Sequence, residues 1–151
     1  MQSLSTTELA KLIAQKHECL TQLRELGARQ LELIAAGELG HLIRVLSAKQ
    51  RLLAMLPTLE RQLYPFRAQL PEDRHWSTPA ERAHCLRLAN ECQRLLVEVL
   101  EQEKQSEAEL IRSRSEAATQ LEDTHASARA QNAYGNEDMP LYSQLDLSSG
   151  H

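Results

Sequence analysis

The residues of this chain that could bind a metal or act as nucleophiles include three cysteines and six histidines. His84 and Cys85 are adjacent, and Cys92 follows one heptad later. Two thiolates can hold a metal, but structural zinc sites usually place paired cysteines two to four residues apart. Cysteines one heptad apart lie on one face of a helix, so Cys85 and Cys92 are predicted to pack as small core residues. Cys19, beside Leu20, is predicted to do the same.

An acidic run between residues 98 and 109 is the second group with chemical potential. It contains five glutamates, relieved only by Lys104. A dinuclear metal site in a helical bundle needs Glu-x-x-His pairs, and the run has none. The sequence also lacks a glycine-rich phosphate loop and a nucleophile elbow. We therefore predict no catalytic residue, no metal and no cofactor, which favours a binding protein over an enzyme.

Length and composition indicate one soluble, helix-rich domain. The chain has 151 residues, of which 42% are hydrophobic and 25% charged, with only 5 glycines. A net charge of −4 argues against nucleic acid as a partner. An odd number of cysteines without paired spacing suits a reducing compartment. No apolar stretch resembles a signal peptide or is long enough for stable membrane insertion, so the predicted location is cytoplasmic.

Two apolar stripes predict the first two helices. Ser5 and Glu8 have the spacing of a capping box, which starts the first helix. Gly37 interrupts the pattern, so two helices are predicted, with one helix bent at Gly37 as the alternative. Pro57 is predicted to kink the second helix or end it early. The first stripe comprises Leu9, Leu12, Ile13, Leu20, Leu23, Leu26 and Leu31; the second comprises Leu39, Leu42, Ile43, Leu46, Leu53, Leu56 and Leu63.

The connection that follows is rich in rings and prolines. Three of the five aromatic residues, Tyr64, Phe66 and Trp76, lie close together here with Pro65 and Pro71. Dense proline spacing predicts a loop rather than a helix. Its rings are predicted to close the open end of the bundle, and a partner-binding patch is the alternative.

The third helix has the clearest start signal. Thr78 and Pro79 combine an N-cap hydroxyl with proline at the first helical position. The helix can run to about Ala130, on the order of 75 Å. Its predicted stripe is Cys85, Ala89, Cys92, Leu96 and Val99, then Glu103 and Ser106, then Leu110, Ala117 and Leu121. Residues from about 106 onward have too sparse a stripe to be stable alone, so they are frayed, folded back or held for a partner.

Together these patterns predict an all-α fold: an antiparallel bundle of about three long helices, the last one overhanging the others. Residues 1–131 form the helical domain, and residues 132–151 form a flexible polar tail. Tyr134 and Tyr142 are predicted to lie past the last helix. A large ring in such a tail has no core to enter, which suggests a contact with a partner.

The stretch LELIAAGELGHLIRVLSAKQRLLAMLPTLERQ, residues 31–62, resembles the signature of the FlgN-type flagellar export chaperones. In that family a helix ends near a turn of small residues, and the next helix, with a Leu-x-x-Leu pattern, carries a Lys-Gln or Lys-Ser pair ahead of two leucines. The matching positions here are Leu39, Leu42, Leu46, Lys49, Gln50, Leu52 and Leu53. The long last helix and the Tyr134-Gly135 pair are also similar to the family, so the resemblance runs from about Thr6 to Gly135.

The resemblance implies a function in type III secretion. Such chaperones hold the flagellar hook-associated proteins of the hook–filament junction in the cytoplasm before export. Their carboxyl-terminal half grips the client, which implies client contacts here at Leu110, Ile111, Ala117 and Leu121. The tyrosine after the last helix docks on the cytoplasmic domain of the export gate, which implies a gate contact at Tyr134 and Gly135. The longer tail makes Tyr142 a second candidate for that contact.

A structural coiled-coil or adaptor module that forms a homo-oligomer is the rival hypothesis. It requires a continuous apolar seam through residues 100–130, so that the third helix can pair with its own copy. Glu103 and Ser106 interrupt that seam. The sequence therefore favours the chaperone hypothesis.

Overall fold

The computed structural model describes residues 4–135, and this part of the chain forms three long α-helices. Helix α1 spans Thr6–Ala36, α2 spans Leu39–Ala68 and α3 spans Pro79–Gly135, with a single 3₁₀ turn at Pro71–Asp73. The predicted all-α fold with a much longer last helix is confirmed. One boundary was wrong: Tyr134 lies inside α3, not past it. Residues 136–151, with Tyr142, lie outside the described residues.

The chain divides after Leu110 into two units, which are treated separately below. We call residues 4–110 the bundle; it contains α1, α2 and the first part of α3. We call residues 111–135 the terminal segment; it is the remainder of α3.

The helix ends follow the predicted signals. The Ser5 hydroxyl accepts a hydrogen bond from the Glu8 amide at 3.4 Å, and the Thr78 hydroxyl accepts one from the Glu81 amide at 3.1 Å. Gly37 ends α1 in the left-handed conformation, with φ of 71°. The next amide, of Glu38, donates to the Leu33 carbonyl at 3.0 Å, which is the pattern of a Schellman motif. The structure therefore has two helices here rather than one bent helix.

Two prolines lie inside α2: Pro57 does not end the helix early, and the prediction that Pro65 lies in a loop was wrong. Helix α2 continues through Pro57 and Pro65 to Ala68. Each proline removes one amide donor from the helix, but both lie on exposed positions where water can satisfy the released carbonyl. Leu59 and Phe66, on the opposite side, are buried. Leu56, just before Pro57, packs against the core as well, so core packing on both sides of Pro57 holds the helix together.

The contacts between helices fix their directions within the bundle. His17 pairs with Glu91 at 2.6 Å and Arg24 with Glu98 at 3.4 Å, and both pairs are 74 residues apart. A constant separation means that α1 and α3 run parallel. Between α1 and α2, in contrast, the sequence separation of paired residues decreases along α1. Lys16 pairs with Glu60, whereas Gln30, further along α1, pairs with Lys49. Helix α2 is therefore antiparallel to α1, as predicted.

The core side chains repeat at alternating steps of three and four residues, which is the spacing of a coiled-coil seam. They form three clusters along the bundle. The first contains Leu9, Leu12, Leu59, Leu63, Phe66 and Cys85; the second contains Cys19, Leu20, Leu23, Cys92, Leu95 and Val99; the third contains Leu33, Ile34 and Leu42.

Several predicted core residues instead face solvent. Leu96 is 40% exposed, because α3 turns Leu95 rather than Leu96 into the second cluster. The apolar stripe predicted for α2 combined residues from two different faces of that helix. One row, which includes Leu42 and Leu63, is buried, and the other is exposed. We call the second row the α2 row; it comprises Leu39, Ile43, Leu46 and Leu53, which are 67%, 64%, 39% and 42% exposed.

Two of the three rings near the connection pack as predicted. Phe66 is buried in the first cluster, and Trp76 packs against it while half-buried. Tyr64, in contrast, is 71% exposed. Only residues 69–78 form the connection, because α2 takes up the first part of the predicted loop.

Candidate functional site

The predicted client contacts are brought together only in part. Leu110, Ala117 and Leu121 are spaced by seven and four residues on α3, so they share one helix face. Ile111 lies about a quarter turn away from that face. All four are exposed, with 41% for Leu110, 59% for Ile111 and 58% for Leu121. A row of exposed apolar side chains on a helix is the form of surface that a partner helix or peptide covers.

The rest of the terminal segment is mostly polar, and several of its side chains form bonds within the segment. Arg112 pairs with Glu116 at 2.9 Å, one helical turn later. The hydroxyls of Thr119 and Thr124 each donate to a carbonyl one turn earlier, at 3.0 and 2.8 Å. The exposed apolar side chains of the segment, in contrast, have no packing partner among the residues of the segment itself. Six alanines between residues 111 and 135 support helix formation.

Tyr134 lies in the last turn of α3, and 94% of its surface is exposed. Gly135 is the last residue of the helix. The structure therefore presents the ring on a helical end rather than on an irregular tail. An almost fully exposed tyrosine contributes little to folding, and aromatic residues of this kind are common anchors in interfaces.

A buried polar group that the sequence analysis missed joins the three helices. We call it the polar node; it comprises Gln30, Lys49 and Glu103. Lys49 is 4% exposed, and its ammonium group donates to the Gln30 side-chain oxygen at 2.6 Å and pairs with the Glu103 carboxylate. Burial lowers the pKa of the Lys49 ammonium group. Glu103, one of the two polar residues that interrupt the predicted seam of α3, therefore pairs with a buried lysine.

A close contact lies one turn away from the polar node. The Gln102 amide nitrogen donates to the Arg24 carbonyl at 3.0 Å, and the Gln102 side chain lies directly over Gly27. A methyl group at Gly27 would come within 2.3 Å of the Gln102 oxygen. A larger residue at position 27 would therefore require the Gln102 side chain to shift. The same oxygen has no hydrogen-bond partner among the described residues.

All three cysteines are buried, as predicted, and none is disulfide-bonded. The Cys19 thiol donates to the Leu52 carbonyl at 3.3 Å. Burial raises the pKa of each of the three thiols, which keeps them in the unreactive protonated form. Within residues 4–135 no three His, Cys, Asp or Glu side chains lie close enough together to hold a metal ion.

A cavity of about 350 Å³ lies at the first cluster, where α1, α2, the connection and α3 meet. Its walls include Leu63, Phe66 and Cys85 from the core. Cationic side chains line it as well, which distinguishes it from a packing defect. No sequence motif pointed to this cavity, because its residues come from four separate elements.

Comparison of the chain with models of protein families, with curated proteins and with solved structures finds no significant match. Among the described residues no helix is long and apolar enough to cross a membrane.

Proposed function

We propose that this protein is an export chaperone of the FlgN type. It binds flagellar hook-associated proteins of the hook–filament junction in the cytoplasm and delivers them to the type III export apparatus. The observation that carries the proposal is the exposed apolar face of the terminal segment, which presents Ala117 and Leu121, with Ile111 exposed beside it. The proposed activity is binding without covalent chemistry.

The exposed apolar face of the terminal segment gives a physical reason for binding a client. Most of the stability of a helix in water comes from burying one apolar face. The terminal segment has such a face, and its apolar residues are exposed. An amphipathic segment of a client can cover that face in the helix-in-groove mode. Ordering of the client on binding lowers the affinity per unit area, which suits a client that must be released.

The direct test is complex formation with purified hook-associated proteins, measured by co-elution and calorimetry. Leu121→Asp places a charge on the apolar row and is expected to weaken binding at least tenfold, equivalent to about 1.4 kcal/mol. Ser115→Asp adds the same charge on another face of the segment and is the matched control. Equal affinity of both variants and the parent protein would contradict the proposed contact surface.

For delivery of the client, the proposed contact with the export gate is Tyr134, in the last turn of α3. Removal of an interface aromatic ring often costs about 2 kcal/mol or more in binding. Tyr134→Ala is therefore expected to fold and hold its client, but to lose affinity for the cytoplasmic domain of the export gate. The same measurement on Tyr142→Ala distinguishes the two tyrosines. Unchanged gate binding by both single variants and by the double variant would refute the assignment.

A helical oligomerisation or adaptor module is the second candidate function. The observation that favours it is the α2 row, whose four large apolar side chains face solvent. Two copies could bury such rows against each other. Sedimentation of the purified protein tests this: a dimer that Ile43→Glu converts to a monomer favours the module. A monomer that still binds hook-associated proteins favours the chaperone.

A further inference from the structure

The cavity at the first cluster has an apolar floor and an open mouth. Leu63 and Phe66 of α2 and Cys85 of α3 are 3%, 5% and 6% exposed and form part of the floor. Leu86 also lines the cavity but is 61% exposed, so the apolar surface continues from the interior to the outside. The volume of about 350 Å³ lies in the range of sites that bind ligands.

Positive charge surrounds this apolar floor. Lys16 of α1, Arg67 of α2, Arg74 of the connection and Arg82 of α3 all line the cavity. Among the described residues that line it, none is an aspartate or a glutamate. The whole chain carries a net charge of −4, so the local charge has the opposite sign to that of the protein.

The neighbouring groups neutralise this charge only in part. Lys16 and Arg67 share one carboxylate, that of Glu60. Arg82 makes no ion pair within residues 4–135. Among the described residues, the Glu60 carboxylate is therefore the one that forms ion pairs with any of these four cations.

Arg74 is held in place by uncharged groups. Its guanidinium donates to the Phe66 carbonyl at 2.6 Å and to the Gln69 side-chain oxygen at 3.3 Å. Burial raises the pKa of the Cys85 thiol, and the charge of Arg74 opposes that rise. The positive charge of Arg74 therefore acts on the interior of the cavity as well as on its mouth.

We propose that this cavity binds a peptide segment of a partner protein in which an apolar side chain is flanked by carboxylates. The apolar side chain enters the cavity beside Phe66, and the carboxylates pair with Arg74 and Arg82. Arginine and carboxylate form short, charge-assisted and often bidentate hydrogen bonds, so the chemistry of the rim matches that of the peptide. This inference is independent of the proposed export function.

The placement of the cations favours a peptide over a small anion with an apolar tail. The four cations come from four separate elements around the cavity, whereas a single headgroup meets one point. An extended chain with carboxylates on both sides of its apolar residue can reach several of them. The exposed surface of Leu86 at the mouth gives such a chain apolar contact where it leaves the cavity.

Trp76 provides the readout, since it is the single tryptophan of the chain, it lines the cavity and it is half-buried. The full-length protein is titrated with a set of short synthetic peptides, each with a central Leu or Phe and neighbouring Asp or Glu. Matched peptides carry Asn and Gln instead. We expect saturable changes in Trp76 fluorescence with the acidic peptides and binding at least tenfold weaker with the neutral ones.

Variants assign the signal to the cavity. Arg82→Glu reverses an exposed charge of the rim and is expected to weaken peptide binding at least tenfold, with Arg82→Gln as the milder second variant. Ala89→Phe fills the cavity and is expected to abolish binding; Leu86→Ala removes apolar contact at its mouth. Arg44→Glu reverses an exposed charge on α2 that does not line the cavity, and it should bind as the parent does.

Four results would overturn the inference. Trp76 fluorescence could stay unchanged with every acidic peptide, or neutral and acidic peptides could bind equally. Decanoate could bind at the cavity while the peptides do not, which would assign it to a small anionic amphiphile. If a peptide of residues 136–147 of this chain were the single binder of the set, the cavity would serve self-recognition instead.

Discussion

Replacing Lys49 with methionine tests how the polar node contributes to stability. The change keeps the length of the side chain but removes the ammonium group between Gln30 and Glu103. Gln30 is 3% exposed, so water cannot replace the lost donor at its side-chain oxygen. An unsatisfied buried acceptor costs about 1–3 kcal/mol.

Two effects reduce that cost. The side chain of Glu103 is 47% exposed, so water can solvate its carboxylate after the lysine is removed. Methionine also avoids the desolvation of a buried charge. We therefore expect Lys49→Met to lower the free energy of unfolding by about 1–2 kcal/mol, measured by urea denaturation. Adding Gln30→Leu removes the orphaned acceptor and should restore stability to within about 1 kcal/mol of the parent.

The pH dependence gives a second readout of the same change. Burial lowers the pKa of Lys49 in the folded protein below its ordinary value of 10.5. The unfolded chain then binds more protons between the two pKa values, so folding becomes more favourable as the pH rises. Relative to Lys49→Met, the parent protein should gain stability as the pH approaches 10.5.

An exposed lysine provides the control for Lys49→Met. Lys104 is exposed on α3, and Lys104→Met should change stability by no more than about 0.5 kcal/mol. If Lys49→Met is equally neutral, the node is not a buried network. If the double variant with Gln30→Leu is less stable than the two single changes added together, the reasoning about the orphaned acceptor is wrong.

The remaining predictions concern the bundle. Leu20→Ala should cost about 2–5 kcal/mol in urea denaturation, because Leu20 is fully buried, and Leu96→Ala much less; equal costs would mean that the core register is wrong. Gly37→Ala should lower Tm, since Gly37 has φ of 71°, whereas Gly40→Ala in α2 should raise it; the reverse order would contradict the cap. Burial of Glu60 raises its pKa, but hydrogen bonds and charges from its two cationic partners outweigh this and lower it. The stability advantage of the parent over Glu60→Gln should therefore be present above pH 4.5 and be lost below it, and a pH-independent difference would refute the pairing.

Much of the architecture could be predicted because its signals are local. A capping hydroxyl at Ser5 or Thr78 acts within one turn, and Gly37 needs no distant partner to end a helix. The continuation of α2 through its two prolines could not be predicted, because the effect of a proline on a helix depends on tertiary packing. Core packing around Pro57 and Pro65, and water at their exposed sides, outweigh the local preference.

The orientation of α2 could not be obtained from its pattern. Two apolar rows run along this helix, and periodicity alone does not tell which one faces the core. The buried row contains Lys49, which made it look less apolar than the row of Leu39 and Leu46. A signal was nevertheless present: Gln30 on α1 also occupies a buried seam position, and two such polar residues indicate a polar layer.

The sequence pattern could place only part of the candidate site. The apolar spacing of Leu110, Ala117 and Leu121 placed them correctly on one helix face, whereas Ile111 lies to the side. The prediction that α3 would end near Ala130 was wrong by about one turn, because its alanine-rich sequence continues as helix to Gly135. The cavity could not be predicted, since its cations are far apart in sequence.

Hydrogen–deuterium exchange shows whether the terminal segment holds the client. The full-length protein is measured alone and with a saturating amount of a hook-associated junction protein. We expect amides of residues 111–135 to exchange faster than those of residues 85–100 in the free protein and to become protected in the complex. Leu121→Asp should remove this protection, and Ser115→Asp should not. Exchange in residues 111–135 that the junction protein leaves unchanged would contradict the claim that this segment holds the client.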